Sequence, residues 1–161
     1  MNKYLDFEND IENIEKLIAD LDITNNNFRS EKAKLLDKKN KILDKIYSNL
    51  SAWQKVQVAR HPNRPHTKDY LNLIFENIIY LHGDKKFSDD SAVLGCLAEI
   101  SGQSVMVIGT EKGNSMESRI KHNFGMAKPE GYRKSQRLMK LANKFNIPII
   151  SFVDTPGAYP G

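Results

Sequence analysis

The stretch Ile147-Pro148-Ile149-Ile150-Ser151-Phe152-Val153 constrains this chain most, because it is a near-continuous apolar run of strand length. A run that short and that apolar reads as a strand buried on both faces, the pattern of a parallel sheet. It follows a helical pattern over Glu130 to Asn146, with Leu138, Leu141, Ala142 and Phe145 on one face, and leads into Asp154-Thr155-Pro156-Gly157-Ala158-Tyr159-Pro160-Gly161. Upstream, Ala92 to Ile100 and Ser104 to Gly109 are short β-prone runs flanking Ser101-Gly102-Gln103, a hairpin signal. Residues 92–153 therefore predict hairpin, helix, strand, which is an α/β fold. One parallel-type strand with a single crossover helix does not complete a sheet, so the expectation is a fragment truncated within its domain.

Between these elements, Glu111 to Pro129 reads as a basic loop. Leu71, Ile74, Phe75, Ile78, Ile79 and Leu81 read as a helical stripe that stops near Gly83. Pro62 and Pro65 keep Ala59 to His66 out of any helix interior. At the N-terminus, Ile11, Ile14, Leu17/Ile18 and Leu21 recur at helical spacing over residues 8–22. Thr24-Asn25-Asn26-Asn27 suits a turn, and Ser30-Glu31 opens a second helix with Leu36, Leu43 and Leu50 every seven residues and Ile46 flanking. Two helices joined by so short a loop should pack antiparallel. Trp53, beside Leu50 and Val56, is expected as a packing anchor. The resulting division is a helical hairpin over residues 1–50 and an incomplete domain over residues 51–161.

With 40% hydrophobic and 27% charged residues, the chain has a globular composition, and low-complexity and disordered classes drop out. No apolar run approaches the roughly 18 residues that a membrane helix needs. The acidic, polar N-terminus is wrong for a secretory signal peptide. The lone Cys96 excludes an internal disulfide framework, and His61, His66, His82 and His122 show no metal-ligand spacing, so no metal is expected. A cytoplasmic location fits these absences. Charge is blocked along the chain. Residues 1–25 carry seven acids against Lys3 and Lys16, while residues 26–50 carry seven cations against three acids, so the two helices should attract. Lys112 to Lys144 holds nine cations against Glu117 and Glu130, which suits either a phosphate-bearing or acidic partner or a solvated helix face.

The strand followed by Asp154-Thr155-Pro156-Gly157 has the outline of a nucleotide switch. That reading needs an upstream G-x-x-x-x-G-K-[ST] loop. Gly109-Thr110-Glu111-Lys112-Gly113-Asn114-Ser115 lacks the second glycine and the lysine where they are required, so the reading is rejected. A loop at a strand's carboxyl end otherwise serves either as a rigid turn or as the lining of a ligand crevice. Gly157 and Gly161 would let a ligand approach the backbone, and Asp154 would hold the turn by accepting loop N–H groups.

Asn123-Phe124-Gly125-Met126, Pro129-Glu130-Gly131-Tyr132-Arg133-Lys134, Arg137-Leu138-Met139 and the Asp154–Gly161 block resemble, in order and spacing, the alpha subunits of the bacterial and plastid acetyl-CoA carboxylase carboxyltransferase. The similarity extends through Ala59-Arg60-His61-Pro62, Arg64-Pro65, Asp69-Tyr70, Gly83-Asp84 and Asp89-Asp90, back to Leu5-Asp6-Phe7-Glu8. Thr110 departs from it, standing where the family often has a histidine. The resemblance implies a ClpP/crotonase-like fold of repeated strand-strand-helix units. It implies transfer of the carboxyl group of carboxybiotin, held on a biotin carboxyl carrier protein, to acetyl-CoA, giving malonyl-CoA for fatty acid synthesis. It also implies an α2β2 assembly with a beta subunit that carries the zinc, and ATP use only by a separate biotin carboxylase. No cofactor is then bound covalently by this chain.

In the family the oxyanion-hole glycine loop lies beyond the position of Gly161, so residues 1–161 alone are expected to be inactive. Gly157, Ala158 and Gly161 become candidates to line the carboxybiotin crevice. Lys112, Lys128, Arg133, Lys134 and Arg137 become candidates to steer coenzyme A phosphates or the acidic carrier. Two other readings stand beside this one. A non-catalytic basic module for RNA or an acidic protein is disfavoured, because residues 112–144 offer only Phe124 and Tyr132 for stacking. Another crotonase-type acyl-CoA carboxylase or decarboxylase is disfavoured by the Pro129–Lys134 block.

Overall fold

The computed structural model describes residues 4–24 and 27–161, so the Asn25-Asn26 part of the expected turn lies outside the described residues. The chain divides into two compact units between Arg64 and Pro65, whereas the sequence alone puts this change at residue 50.

In the first unit, a 3₁₀ turn at Asp6–Glu8 leads into α1 (Asn9–Ala19), and α2 (Phe28–Tyr47) runs back along it. The side-chain pairs fix the antiparallel sense. Glu8, at the start of α1, accepts the Tyr47 hydroxyl from the end of α2. Glu15, further along α1, takes the Lys39 ammonium at 2.6 Å. The acidic helix thus meets the basic one, as the charge blocks require. Ile11 and Ile14 are buried. The expected seam on α2 holds in part: Leu43 and Ile46 lie on the half-buried face with Leu35 and Ile42, while Leu36 is 41% exposed. Leu50 falls past the helix end at Tyr47. The same unit holds α3 (Ala52–Ala59), opened by a reciprocal cap in which the Gln54 N–H donates to Ser51 Oγ at 3.2 Å and the Ser51 N–H to Gln54 Oε1 at 2.8 Å. Trp53 lies on α3 and is 66% exposed, so it is not buried as an anchor within this unit.

The second unit is built on a four-stranded sheet of β1 (Glu76–Tyr80), β2 (Val93–Ile100), β3 (Gln103–Thr110) and β4 (Ile149–Phe152), in that order. β1, β2 and β3 pair antiparallel, and β4 joins β3 in parallel. The β2–β3 turn has φ of 51° at Ser101 and 75° at Gly102, the two left-handed residues that match a tight turn to strand twist. α4 (Thr67–Ile74) covers one face, where Leu71 and Phe75 pack with Cys96, Ala98, Val105 and Val107. α6 (Pro129–Lys144), reached through the short α5 (Met116–Lys121), covers the other, where Leu138 and Ala142 pack with Val93, Met106 and Ile108. Consecutive residues of β3 therefore serve opposite cores, as an interior strand must. The β2–β3–α6–β4 path is the strand-strand-helix unit expected from the crotonase-like resemblance, with the next strand begun.

Three expectations fail locally. The stripe over residues 71–81 is helical only to Ile74; Phe75 turns extended, and Ile79 and Tyr80 pair with Leu97 and Cys96. Residues 111–129 are not all loop, since α5 lies among them. β4 is not buried on both faces: Ile150 and Phe152 pack on the core while Ile149 is 42% exposed, because β3 is its one neighbour among the described strands.

Candidate functional site

The parallel pair β3–β4 brings two carboxyl ends together, and the segments leaving them form the candidate site. Thr110 ties the two. Its hydroxyl accepts the Asp154 N–H at 2.6 Å, and its carbonyl accepts the Thr67 hydroxyl at 2.5 Å. Thr110 is therefore a hydrogen-bonding brace between the two strand ends. Glu111 follows, with its carboxylate buried. His66 Nδ1 donates to it at 3.0 Å, the Gly113 N–H at 2.9 Å and the Lys68 N–H at 3.1 Å. Three donors on one buried carboxylate satisfy it and fix the start of the loop.

Lys112 Nζ reaches Asp154 at 2.8 Å, bridging the two strand ends. The role foreseen for Asp154 changes accordingly: among the described contacts its carboxylate takes an ammonium, not loop N–H groups. Thr155 Oγ1 donates to the Gly125 carbonyl at 3.1 Å and receives the Gly157 N–H at 3.3 Å. The loop is thereby held on both sides of Pro156. Gly157, Ala158 and Gly161 are exposed, and a Cβ on Gly157 would meet nothing within 4 Å. At Gly161 a Cβ would lie 2.9 Å from the Tyr159 hydroxyl.

The carbonyl used by Thr155 sits on a strained turn. Asn123, Phe124 and Gly125 have φ of 45°, 55° and 81°, three left-handed residues in succession. For a residue as bulky as Phe this costs on the order of 1–3 kcal/mol and must be held by its surroundings. Asn123 Nδ2 donates to the Met126 carbonyl at 2.8 Å, and the Gly125 N–H to the His122 carbonyl at 2.9 Å. Phe124 stays 44% exposed beside the loop.

The basic residues are mostly committed elsewhere. Arg133 Nε pairs with Asp84 at 2.7 Å, and Lys134, its side chain buried, pairs with Asp89 at 2.5 Å and the Asp90 carbonyl at 3.1 Å. Arg137 donates to the Gly83 and His82 carbonyls at 3.1 and 3.2 Å. All three fasten α6 to the 82–90 loop. Asp84 also accepts the N–H groups of Phe87, Lys86 and Ser88, and these, led by Phe87, hold its carboxyl well below the usual carboxylate range. Burial pushes the Asp89 carboxyl up, but Lys134, the Gly83 N–H and His82 together bring it well below that range. Lys128 differs: its ammonium lies over the Tyr159 ring at 5.7 Å, and no carboxylate pairs with it among the described residues. No cluster of three metal-ligating side chains occurs among the described residues.

The sequence reading passes over Glu111, Asp84, Asp89 and Asp90 as individual participants. A signal existed for the last three. Arg133, Lys134 and Arg137 project from α6, and acids must lie where such a helix meets a loop if any of these cations is to be buried.

The family model for acetyl co-enzyme A carboxylase carboxyltransferase-like proteins matches residues 4–161. An acetyl-coenzyme A carboxylase carboxyl transferase subunit alpha of Francisella philomiragia is 54% identical over 160 residues, which are 98% of this chain and 51% of that protein. The protein of the same description from Francisella tularensis subsp. novicida is 53% identical over the same shares. The chain thus spans about half the length of the curated relatives it matches. Among solved structures, the beta subunit of Pseudomonas aeruginosa geranyl-CoA carboxylase aligns with a TM-score of 0.47 at 19% identity, over 98% of this chain and 26% of that one.

Proposed function

This chain belongs to the acetyl co-enzyme A carboxylase carboxyltransferase-like family, and from that premise we propose that it forms part of the alpha side of a carboxyl-transfer site. The reaction moves a carboxyl group from the ureido nitrogen of carboxybiotin to the methyl carbon of acetyl-CoA, giving malonyl-CoA. One C–N bond breaks, one C–C bond forms, and the methyl proton passes to the biotin left behind. Negative charge grows on the thioester and ureido oxygens as this happens, and preorganised N–H groups are the natural stabilisers of such charge.

The observation that carries the reading within this structure is the open backbone at Gly157, in a loop that is otherwise braced. Lys112 and Thr110 hold Asp154, and Thr155 holds the loop to Gly125. A carrier-borne biotin needs such a surface: rigid, at the carboxyl ends of parallel strands, and free of side chains. Gly157 and Ala158 form it in this proposal, with Gly161 at its edge. Asp154 positions the loop and does not touch the substrate. Of the five basic candidates, Lys128 is the one proposed to steer the anionic substrates; Lys112, Arg133, Lys134 and Arg137 act by holding the scaffold.

The partners in this reading are a carboxyltransferase beta subunit in an α2β2 assembly, the biotin carboxyl carrier protein and biotin carboxylase, which alone uses ATP. The setting is the cytoplasm, and no helix among the described residues is long and apolar enough to cross a membrane. The test is Gly157→Val in the full-length protein assembled with its beta subunit. We expect normal assembly, measured by light scattering, and loss of malonyl-CoA formation. Near-wild-type turnover by the assembled variant would reduce the loop to a turn.

A further inference from the structure

A cavity of about 290 Å³ opens in the second unit, away from the 154–161 loop, between α4, β1–β2 and the α5–α6 side. That is far more room than one water requires. Its lining includes Lys68, Lys121, Lys134, His122, Tyr80 and Asp89. The carboxylate does not balance the cations. Asp89 is saturated by Lys134, His82 and the Gly83 and Asp90 N–H groups, so it and Lys134 cancel.

Lys68 and Lys121 remain, and among the described residues neither has a carboxylate partner. The Nζ contact of Lys68 is with His122 Nε2, at 3.1 Å. His122 is buried, and its Nδ1 lies 2.6 Å from the Ser91 carbonyl, which can only accept. Nδ1 therefore carries the proton and Nε2 presents a lone pair that receives one Lys68 N–H. That arrangement aims the ammonium without neutralising it, and leaves its other two protons for a ligand. Tyr80 adds a hydroxyl donor, and partial burial, with Cys96 and Glu111 nearby, keeps the phenol protonated by raising its pKa. The floor at Val93, Leu94 and Gly95 supplies no acceptor side chain.

We propose that this cavity binds a diphosphate group through Lys68 and Lys121, with His122 positioning Lys68. The ligand chemistry is two adjacent phosphoryl groups, carried either by a free diphosphate compound or by the phosphate arm of a coenzyme A thioester. The site is separate from the carboxyl-transfer loop and does not depend on that function.

Titration calorimetry of the intact protein with inorganic pyrophosphate at low salt tests it. One equivalent should bind, and Lys68→Met and Lys121→Met should each weaken binding by about ten-fold or more, the effect of one lost charge-assisted hydrogen bond. Both lysines are exposed, so both variants should fold, and their melting curves check this. Lys140→Met, on α6 and outside the cavity, should bind as wild type. Competition with acetyl-CoA separates the two sources: displacement of pyrophosphate assigns the site to the thioester's phosphate arm, and no displacement assigns it to a free phosphate compound. Absence of pyrophosphate binding, or equal affinity across all three variants, would overturn the proposal.

Discussion

Replacing Gly131 by alanine sets two effects of opposite sign against each other. Glycine inside a helix costs roughly 1 kcal/mol relative to alanine, so propensity alone says that the substitution stabilises α6. The structure says otherwise. A Cβ at residue 131 would lie 2.4 Å from Asp90 Oδ2 and 2.8 Å from Val93 Cγ2. Asp90 is buried, with Oδ2 accepting the Lys128 N–H at 2.7 Å and Oδ1 the Ala92 N–H at 2.9 Å. The carboxylate thus caps the helix from outside, and the new methyl group occupies its seat.

Losing one hydrogen bond to a charged group costs about 1.5–3 kcal/mol, and overpacking against Val93 adds about 1 kcal/mol more. The net expectation is a destabilisation of roughly 1.5–3 kcal/mol after the propensity gain is subtracted. The assay is urea unfolding of the full-length protein followed by circular dichroism, with Gln136→Ala on the exposed side of the same helix as the control. Gln136→Ala should stay within about 0.5 kcal/mol of wild type. A Gly131→Ala protein as stable as that control would refute the steric argument and leave the glycine unexplained.

Other expectations follow from the same geometry. Asp84 and Asp89 have carboxyls held below their unfolded values, so their stabilisation is complete above about pH 4 and is lost as pH falls below it; urea midpoints measured stepwise down from about pH 5 should drop, and drop less in Asp84→Asn. Burial pushes the Cys96 thiol up to about 11, so a thiol reagent at pH 8 should modify it only after unfolding, as mass spectrometry would report. Glu111→Gln cannot satisfy His66 Nδ1, the Gly113 N–H and the Lys68 N–H as an anion does, and should cost about 1–3 kcal/mol in the same urea assay. Leu138→Ala opens a cavity at a fully buried position and should cost about 2–5 kcal/mol.

What the sequence made legible is what local periodicity decides. The β2–β3 hairpin follows from two β-prone runs around Ser101-Gly102, and α6 from one apolar face closed by the need to reach a parallel strand. The miss at β1 has a different origin. Leu71, Ile74 and Phe75 are in helical phase, and Ile78 happens to continue that phase, so no local rule marks the break after Ile74. The break is set by partners sixteen or more residues away, where β1 takes its register from Cys96 and Leu97. β4 departs from its expected burial for a related reason. An apolar run announces that both faces are suited to burial, but its actual burial depends on whether a strand lies on its far side, and Ile149 stands exposed without one among the described residues.

The basic block shows most clearly how charge misleads when it is counted along the chain. Nine cations between Lys112 and Lys144 look like a surface for an anionic partner. Yet Lys134 is spaced four residues from Leu138 and eight from Ala142, which puts it on the stripe of α6 that faces the sheet. A lysine in that phase must be buried, and a buried lysine demands a carboxylate, so the periodicity that identified the helix also predicts an acid opposite it. Asp89 answers that demand, with Asp84 and Asp90 doing the same for Arg133 and the helix N-terminus. The specificity of the Pro129–Lys134 block is therefore structural: it locks a crossover helix to the loop before β2, and so sets where β4 and its open Gly157 loop emerge. Charged residues some distance from that loop thus help to set where its backbone lies.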